Sequence, residues 1–349
     1  MDEFAIIHRF FTWPKRNGRT LLGVGDDAAL IRPVDRPIAI TTDTLVEGVH
    51  FLPEAPSESV GHRALAVNLS DLAAMGAEPS WALLAMTLPE ADIGWLERFR
   101  RGAERLARRY GIDLIGGDTT RGPCTVVTVT ALGEVPEGEV LRRFGAKAGD
   151  LVCVTGTLGD AALGLKMLKG EIMWRSEEAV RRHLFPEPQV GAGLLLRGRA
   201  TACIDLSDGL LADLGHILEA SGVGATLEWE ALPLSPAVRR YLSESGDRLF
   251  PLREGEDYHL CFTLPPAKQS VLEDLGLAFY PIGTIEGRRG LRIRDRGEEV
   301  ALEPLGYRHF GKDPASENRR ISSNASLGYR HFGKDPSSGP NVSLPSCSL

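Results

Sequence analysis

The sequence predicts an α/β protein with α+β mixed sheets, built in two domains. Strand-like apolar runs alternate with helix-like amphipathic runs along most of the chain, the pattern of sheets faced by helices. The length, 349 residues, suits about two domains of ordinary size. Around Gly145 to Asp150 the texture shifts from Val/Thr strands and Arg/Glu helix to segments rich in Ala, Leu and Gly. The boundary is placed there. Residues 1–145 form the expected N-terminal domain, 146–310 the C-terminal domain, and 311–349 a poorly ordered tail.

In chain order, residues 3 to 11 read as a short amphipathic helix with Phe4, Ile7 and Phe11 on one face. Trp13 to Thr20 is a basic loop. Leu21 to Val24 and Ala29 to Ile31 flank a Gly25-Asp26-Asp27 turn, and Pro37 to Thr42 is a strand. Ser57 or Ser59 is expected to cap a helix that runs to Met75 and stops at Gly76. Trp81 to Leu88 is apolar throughout, so a buried strand. Asp92 to Tyr110 is a helix with Ile93, Leu96, Phe99, Ala103 and Leu106 in one stripe. Cys124 to Leu132 alternates Val and Thr as a strand does. Further strands are read at Leu151 to Thr155, Ala200 to Leu206, Ala225 to Glu228, Tyr258 to Leu264, Phe279 to Ile285 and Leu291 to Arg294. Helices follow at residues ending near Leu168, near Ala220, and at Pro236 to Glu244. The decamer Leu305 to Pro314 recurs at Leu327 to Pro336 amid Ser, Asn and Pro, too short a repeat for a solenoid.

Composition narrows the function. A net charge of -7 gives nucleic acid no attraction. No apolar run approaches the roughly 18 residues of a membrane helix, and the acidic start at Asp2 and Glu3 is unlike a signal peptide. The five cysteines make no C-x-x-C pair. Four sit in apolar, strand-like runs, so they read as buried free thiols of a cytoplasmic protein.

The chemistry gathers in short acidic signatures: Gly25-Asp26-Asp27-Ala28-Ala29, Thr41-Thr42-Asp43-Thr44, Asn68-Leu69-Ser70-Asp71, Gly116-Gly117-Asp118-Thr119 and Asp205-Leu206-Ser207-Asp208-Gly209. Taken singly, each has an ordinary explanation. Asp27 suits an Asx-turn, Asp205 or Asp208 a helix N-cap, Asp71 a solvated helix face, and His50 a structural loop residue. Their number and shared setting, an Asp beside Gly, Ser or Thr, point instead to Mg2+ and a polyphosphate, since Mg2+ binds phosphates through a few carboxylates plus water. Two apparent nucleotide motifs fail. Gly306 to Lys312 and Gly328 to Lys334 match G-x-x-x-x-G-K but continue with Asp. Gly23-x-Gly25-x-x-Ala28 would point Asp26 and Asp27 at a pyrophosphate.

These signatures, together with Thr42 to Phe51, Ala66 to Ala77, Val154-Thr155-Gly156, Gly255-Glu256-Asp257-Tyr258 and Gly306-Tyr307-Arg308-His309-Phe310, resemble the thiamine-monophosphate kinase family of the aminoimidazole-ribotide synthetase-like superfamily. The resemblance implies transfer of the ATP γ-phosphoryl group to thiamine monophosphate, direct and in-line, with several Mg2+ ions. It also implies a homodimer formed by pairing of N-terminal sheets. Asp27, Thr41, Thr42, Asp43, Asp71, Asp118, Asp205 and Asp208 would ligate Mg2+, with Asp43, Asp71 and Asp208 central to catalysis. Gly117, Asp118, Arg143 and Ser207 would contact ATP. His50, Glu256 and Tyr307 would contact the thiamine phosphate. Glu254 stands where relatives often carry glycine. An acceptor that is already an ionised phosphate needs no strong general base, which fits a site rich in Asp and poor in His.

Overall fold

The computed structural model describes residues 2–300. Tyr307, Cys347, the tail and both copies of the decamer lie outside them. Helix α1 (Glu3–Ile6) continues into a π-helical turn at Ile7–Phe11, followed by strands β1 (Thr20–Leu22), β2 (Leu30–Ile31) and β3 (Ile38–Val46). Next come α2 (Ser57–Ala74), β4 (Glu78–Leu88), α3 (Ile93–Tyr110), β5 (Asp113–Arg121) and β6 (Val126–Glu134). After the Gly145 region come β7 (Leu151–Val154), α4 (Asp160–Leu168), α5 (Glu177–Leu184), α6 (Val190–Leu196), β8 (Ala202–Asp205), α7 (Leu210–Ser221) and β9 (Gly224–Glu228). The last are α8 (Pro236–Ser245), α9 (Phe250–Arg253), β10 (Leu260–Leu264), α10 (Gln269–Asp274), β11 (Tyr280–Glu286), β12 (Gly290–Asp295) and β13 (Glu298–Val300).

β1 and β2 form a small hairpin, and two larger sheets dominate. One runs β3-β6-β4-β5 and is antiparallel except for the parallel β4–β5 pair. The other runs β13-β12-β9-β11-β7-β10-β8, with β9–β12 its parallel pair. The first sheet has two unlike faces, as strand alternation requires. Its inner face carries Leu45, Val127, Val129, Ala131, Leu84 and Met86, all buried. Its outer face carries Thr42, Thr44, Thr128, Thr130 and Ala85, exposed or half-buried, with Ile40 66% exposed.

Helix α2 lies against the inner face and is the hub of the molecule. Of its eighteen residues only Glu58 and Asp71 escape full burial. α3 packs on it so closely that a Cβ on Gly61 would lie 2.0 Å from the Phe99 carbonyl oxygen, and one on Gly102 would lie 1.9 Å from that of Glu58. Only glycine permits that approach. One apolar core runs from Phe10, Phe99 and Leu69 through to Cys203, Leu260 and Phe262 of the second sheet.

Several boundaries shift for physical reasons. The N-terminal stripe is Ile6, Phe10 and Phe11, while Phe4 is 79% exposed, because the π turn re-phases the side chains. Ile93 is 41% exposed and leaves the α3 stripe, which Gly102 and Ala107 join. Pro56, not Ser57 or Ser59, is the α2 N-cap. Cys124 is a half-buried thiol ahead of β6, whereas Cys153, Cys203 and Cys261 are buried as expected. α5 and α6 fall in a stretch the sequence left unread. β3 and β5 run through their acidic signatures rather than ending at them.

Candidate active site

Strand alternation puts Thr41 and Asp43 on the inner face of β3, opposite the window that Asp71 opens in α2. Thr41 Oγ1 donates to Asp71 Oδ2, and the Asp43 carboxyl stands close enough to Asp71 for the two to interact. Asp205 closes the group from the end of β8. It is only 4% exposed and accepts a 2.8 Å hydrogen bond from Ser70 Oγ. Three elements distant in sequence thus bring three carboxyls within electrostatic reach of one another.

Their electrostatics are adverse without a cation. Burial, then the neighbouring Asp71, pushes the Asp43 carboxyl up to about 6. Burial and Asp71 push Asp205 up to about 8. Asp71 is also raised by burial, opposed by the hydrogen bonds from Thr41 and Asp43 and by the Arg143 charge. A low-dielectric cluster of like charges favours protons or metal ions.

The turn after β8 carries Ser207 and Asp208. Asp208 N and Gly209 N each donate to Asp213 Oδ2 at 3.1 Å, so Asp213 fixes the backbone that presents Asp208. Burial and then Asp208 raise the Asp213 carboxyl to about 7. Sequence reading missed Asp213, although an Asp in the first turn of a helix is a recognisable signal.

Three expected ligands are not gathered in. Asp27 is exposed in the β1–β2 hairpin loop, where its N–H donates to Asp26 Oδ1 at 2.9 Å. Thr42 points to the outer face, with Oγ1 bonded to the Val129 carbonyl at 3.2 Å and to Thr130 Oγ1 at 3.0 Å. The register pairs Asp118 with Ala85, Ala85 with Thr128 and Thr128 with Thr44, so Asp118 joins the outer row. Gly117 precedes it opposite Leu84. Of the eight expected metal ligands, the side chains of these three stand apart from the Asp43, Asp71 and Asp205 group. Alternation along β3 and β5 separates neighbours in sequence onto opposite faces. Among the described residues, no three His, Cys, Asp or Glu side chains stand close enough together to enclose a metal ion.

A second group lies nearby. Glu256 adopts φ 71 and Tyr258 φ 51, strained for non-glycine residues and costing about 1–3 kcal/mol each. Glu254 has φ -85 and is unstrained, so glycine is not required there. The tight position is Gly255, where a Cβ would lie 2.0 Å from the Ser207 carbonyl oxygen. Arg63 pairs with Glu256 Oε1, and His183 Nδ1 lies 3.4 Å from Oε2. Burial alone would raise the Glu256 carboxyl. Arg63 and His183 overcome it and hold the group low, with a smaller contribution from His50. His50 Nδ1 accepts from Val46 N at 3.0 Å. A cavity of about 200 Å³ adjoins this group, lined among others by Phe51, Leu52, Val60, Arg63, His183 and Leu184. Arg63 and His183 carried no motif and were not found from sequence.

Residues 25–135 match the family described as AIR synthase related protein, N-terminal domain, and residues 147–296 match AIR synthase related protein, C-terminal domain. The fold is thus that of an AIR-synthase-related protein. Closer relatives narrow the class. The thiamine-monophosphate kinases of Salmonella typhimurium and Escherichia coli are each 44% identical to it over 319 residues, covering 88% of this chain and 98% of the relative. The crystal structure of thiamine-monophosphate kinase from Stenotrophomonas maltophilia superposes with a TM-score of 0.77 at 43% identity, covering 86% of this chain and 98% of that one. AaThiL complexed with AMPPCP and TMP superposes with a TM-score of 0.72 at 35% identity, covering 82% and 92%. The chain belongs to the thiamine-monophosphate kinase family.

Proposed function

We propose that this protein phosphorylates thiamine monophosphate with ATP, giving thiamine diphosphate and ADP, the closing step of thiamine diphosphate biosynthesis. A phosphate oxygen of the acceptor attacks the γ-phosphorus, and the bond from that phosphorus to the β–γ bridging oxygen breaks as ADP leaves. The observation that carries this reading is the meeting of Asp43, Asp71 and Asp205, drawn from β3, α2 and β8, beside the Glu256 group.

The donor set fits Mg2+: hard oxygen ligands, of which Asp43, Asp71 and Asp205 are raised toward protonation when no cation offsets them. Asp43, Asp71, Asp205 and Asp208 would hold it, with Thr41 fixing Asp71. When bound, Mg2+ would offset the phosphate charge of the two anionic substrates. Asp27, Thr42 and Asp118 are assigned to metal by family resemblance alone. Gly117, Asp118, Arg143 and Ser207 are assigned to ATP, Arg143 offering a guanidinium fork to phosphate. His50 and Glu256 are assigned to the thiamine phosphate, and Tyr307 by family resemblance alone.

The halves on either side of Gly145 are proposed as the two domains, 1–145 and 146–310. The uncovered outer face of the first sheet, with Ile40 at its edge, is proposed as the surface on which two copies pair as a homodimer. Free buried thiols suit a cytoplasmic protein. Among the described residues no helix is long and apolar enough to cross a membrane.

The test is a coupled ADP assay with ATP and Mg2+. Thiamine monophosphate is the substrate, and thiamine and aminoimidazole precursors are the controls. ADP release confined to thiamine monophosphate is the expected result. Release driven by an aminoimidazole precursor would assign the protein to a different branch of the superfamily.

A further inference from the structure

Arg63 stands in the middle of α2 with only 3% exposure. An apolar side chain there would fill the space without desolvating a charge, and buried ion pairs are weak sources of stability. Its contacts all converge on one place. It pairs with Glu256, Nη1 donates to the His183 carbonyl at 2.8 Å, and its guanidinium carbon lies 5.9 Å from the Tyr258 ring centroid. Glu256 and Tyr258 are the two strained residues of the segment, and such strain persists only where surroundings hold it. Between them Asp257 is anchored on the α4 terminus, accepting from Gly159 N at 2.7 Å and Ala161 N at 3.3 Å. The Glu256 carboxylate is thus gripped on one oxygen by Arg63 and approached on the other by His183. Both of these residues also line the adjoining cavity, whose other walls include Phe51, Leu52, Val60 and Leu184.

We propose that Arg63 is a positioning residue for acceptor recognition. With His183 it fixes the Glu256 carboxylate so that this group can accept a hydrogen bond from the ring-borne amine of the phosphorylated, cationic acceptor. The proposal rests on the assignment of Glu256 to the acceptor made above. Arg63 acts through Glu256, so its influence falls on acceptor affinity and leaves the ATP side alone. Lysine cannot reproduce the grip, because one ammonium cannot meet Glu256 and the His183 carbonyl with the geometry of a planar fork.

The experiment is a double-mutant cycle on the full chain, using Arg63→Met, Glu256→Gln and the pair, with Arg63→Lys as the conservative variant. KM for thiamine monophosphate, KM for ATP and kcat are read for each, alongside the melting temperature. Arg63→Met and Glu256→Gln are each expected to raise the acceptor KM roughly tenfold or more, with the ATP KM unchanged. The pair is expected to be no worse than Glu256→Gln alone, and Arg63→Lys to fall between parent and Arg63→Met. If Arg63→Met does not fold, the pair and Arg63→Lys still decide, because neither leaves an uncompensated buried carboxylate. Effects that add across the cycle, or an Arg63 variant with a parental acceptor KM, overturn the proposal. A parental acceptor KM for Glu256→Gln overturns it too, and locates the error in the assignment of Glu256.

Discussion

Ser70 Oγ donates to Asp205 Oδ2 across 2.8 Å, binding the hub helix to the end of strand β8 at the point where the carboxyls meet. This hydrogen bond favours the charged form of Asp205, against burial and against Asp71. Ser70→Ala should therefore make Asp205 harder to ionise and weaken Mg2+ binding. The apparent Mg2+ affinity in the kinase assay should fall by roughly tenfold, the worth of one hydrogen bond to a charged group. An unchanged Mg2+ titration would show that Asp205 lies outside the metal site.

Asp43→Ala and Asp71→Ala should each abolish ADP formation while the protein stays folded. Both remove a carboxyl held in adverse surroundings, so the metal-free melting temperature should hold or rise. Turnover at the parental rate in both variants would count decisively against the carboxylate cluster.

Asp257 gives a pH dependence with a definite sign. Burial raises its folded carboxyl to about 7 from 3.8. Over that window the folded state binds more protons than the unfolded chain, so stability falls as pH rises, and the loss is complete above about 7. Asp257→Asn cannot ionise. The melting temperature of this variant minus that of the parent should climb between pH 4 and pH 7, by more than about 3 °C, and level off above. A difference that is flat with pH would contradict this.

The outer sheet face offers a test of association. Ile40→Arg combined with Thr128→Arg places charge on the edge strand and its neighbour on an exposed β surface without touching the inner core. Sedimentation should show the parent as a dimer and the variant as a folded monomer. A dimer that survives the double substitution uses another surface.

Much of this was legible in the sequence. The helix read at Asp92 to Tyr110 matches α3, which the Asp92 side chain caps and a left-handed Gly111 ends, both local signals. Motif chemistry marked Asp43 and Asp71 as acids set beside small polar residues, and the family resemblance paired them as candidate ligands. The outward placement of Thr42 and Asp118 was not legible, because β3 and β5 had to be known as continuous strands before alternation could sort the two faces. Arg63 and His183 stayed hidden for a different reason. Their partner, Glu256, is brought to them by tertiary packing, and no local pattern marks a buried cation in the middle of a helix.

The central claim is that Asp43, Asp71 and Asp205 share cations with both substrates. Crystals grown with Mn2+ in place of Mg2+, AMPPCP and thiamine monophosphate would give an anomalous difference map. The account predicts peaks at coordination distance, roughly 2–2.5 Å, from oxygens of Asp71 and at least one of Asp43 and Asp205, and in contact with phosphate. Peaks found only away from these three carboxyls would contradict it.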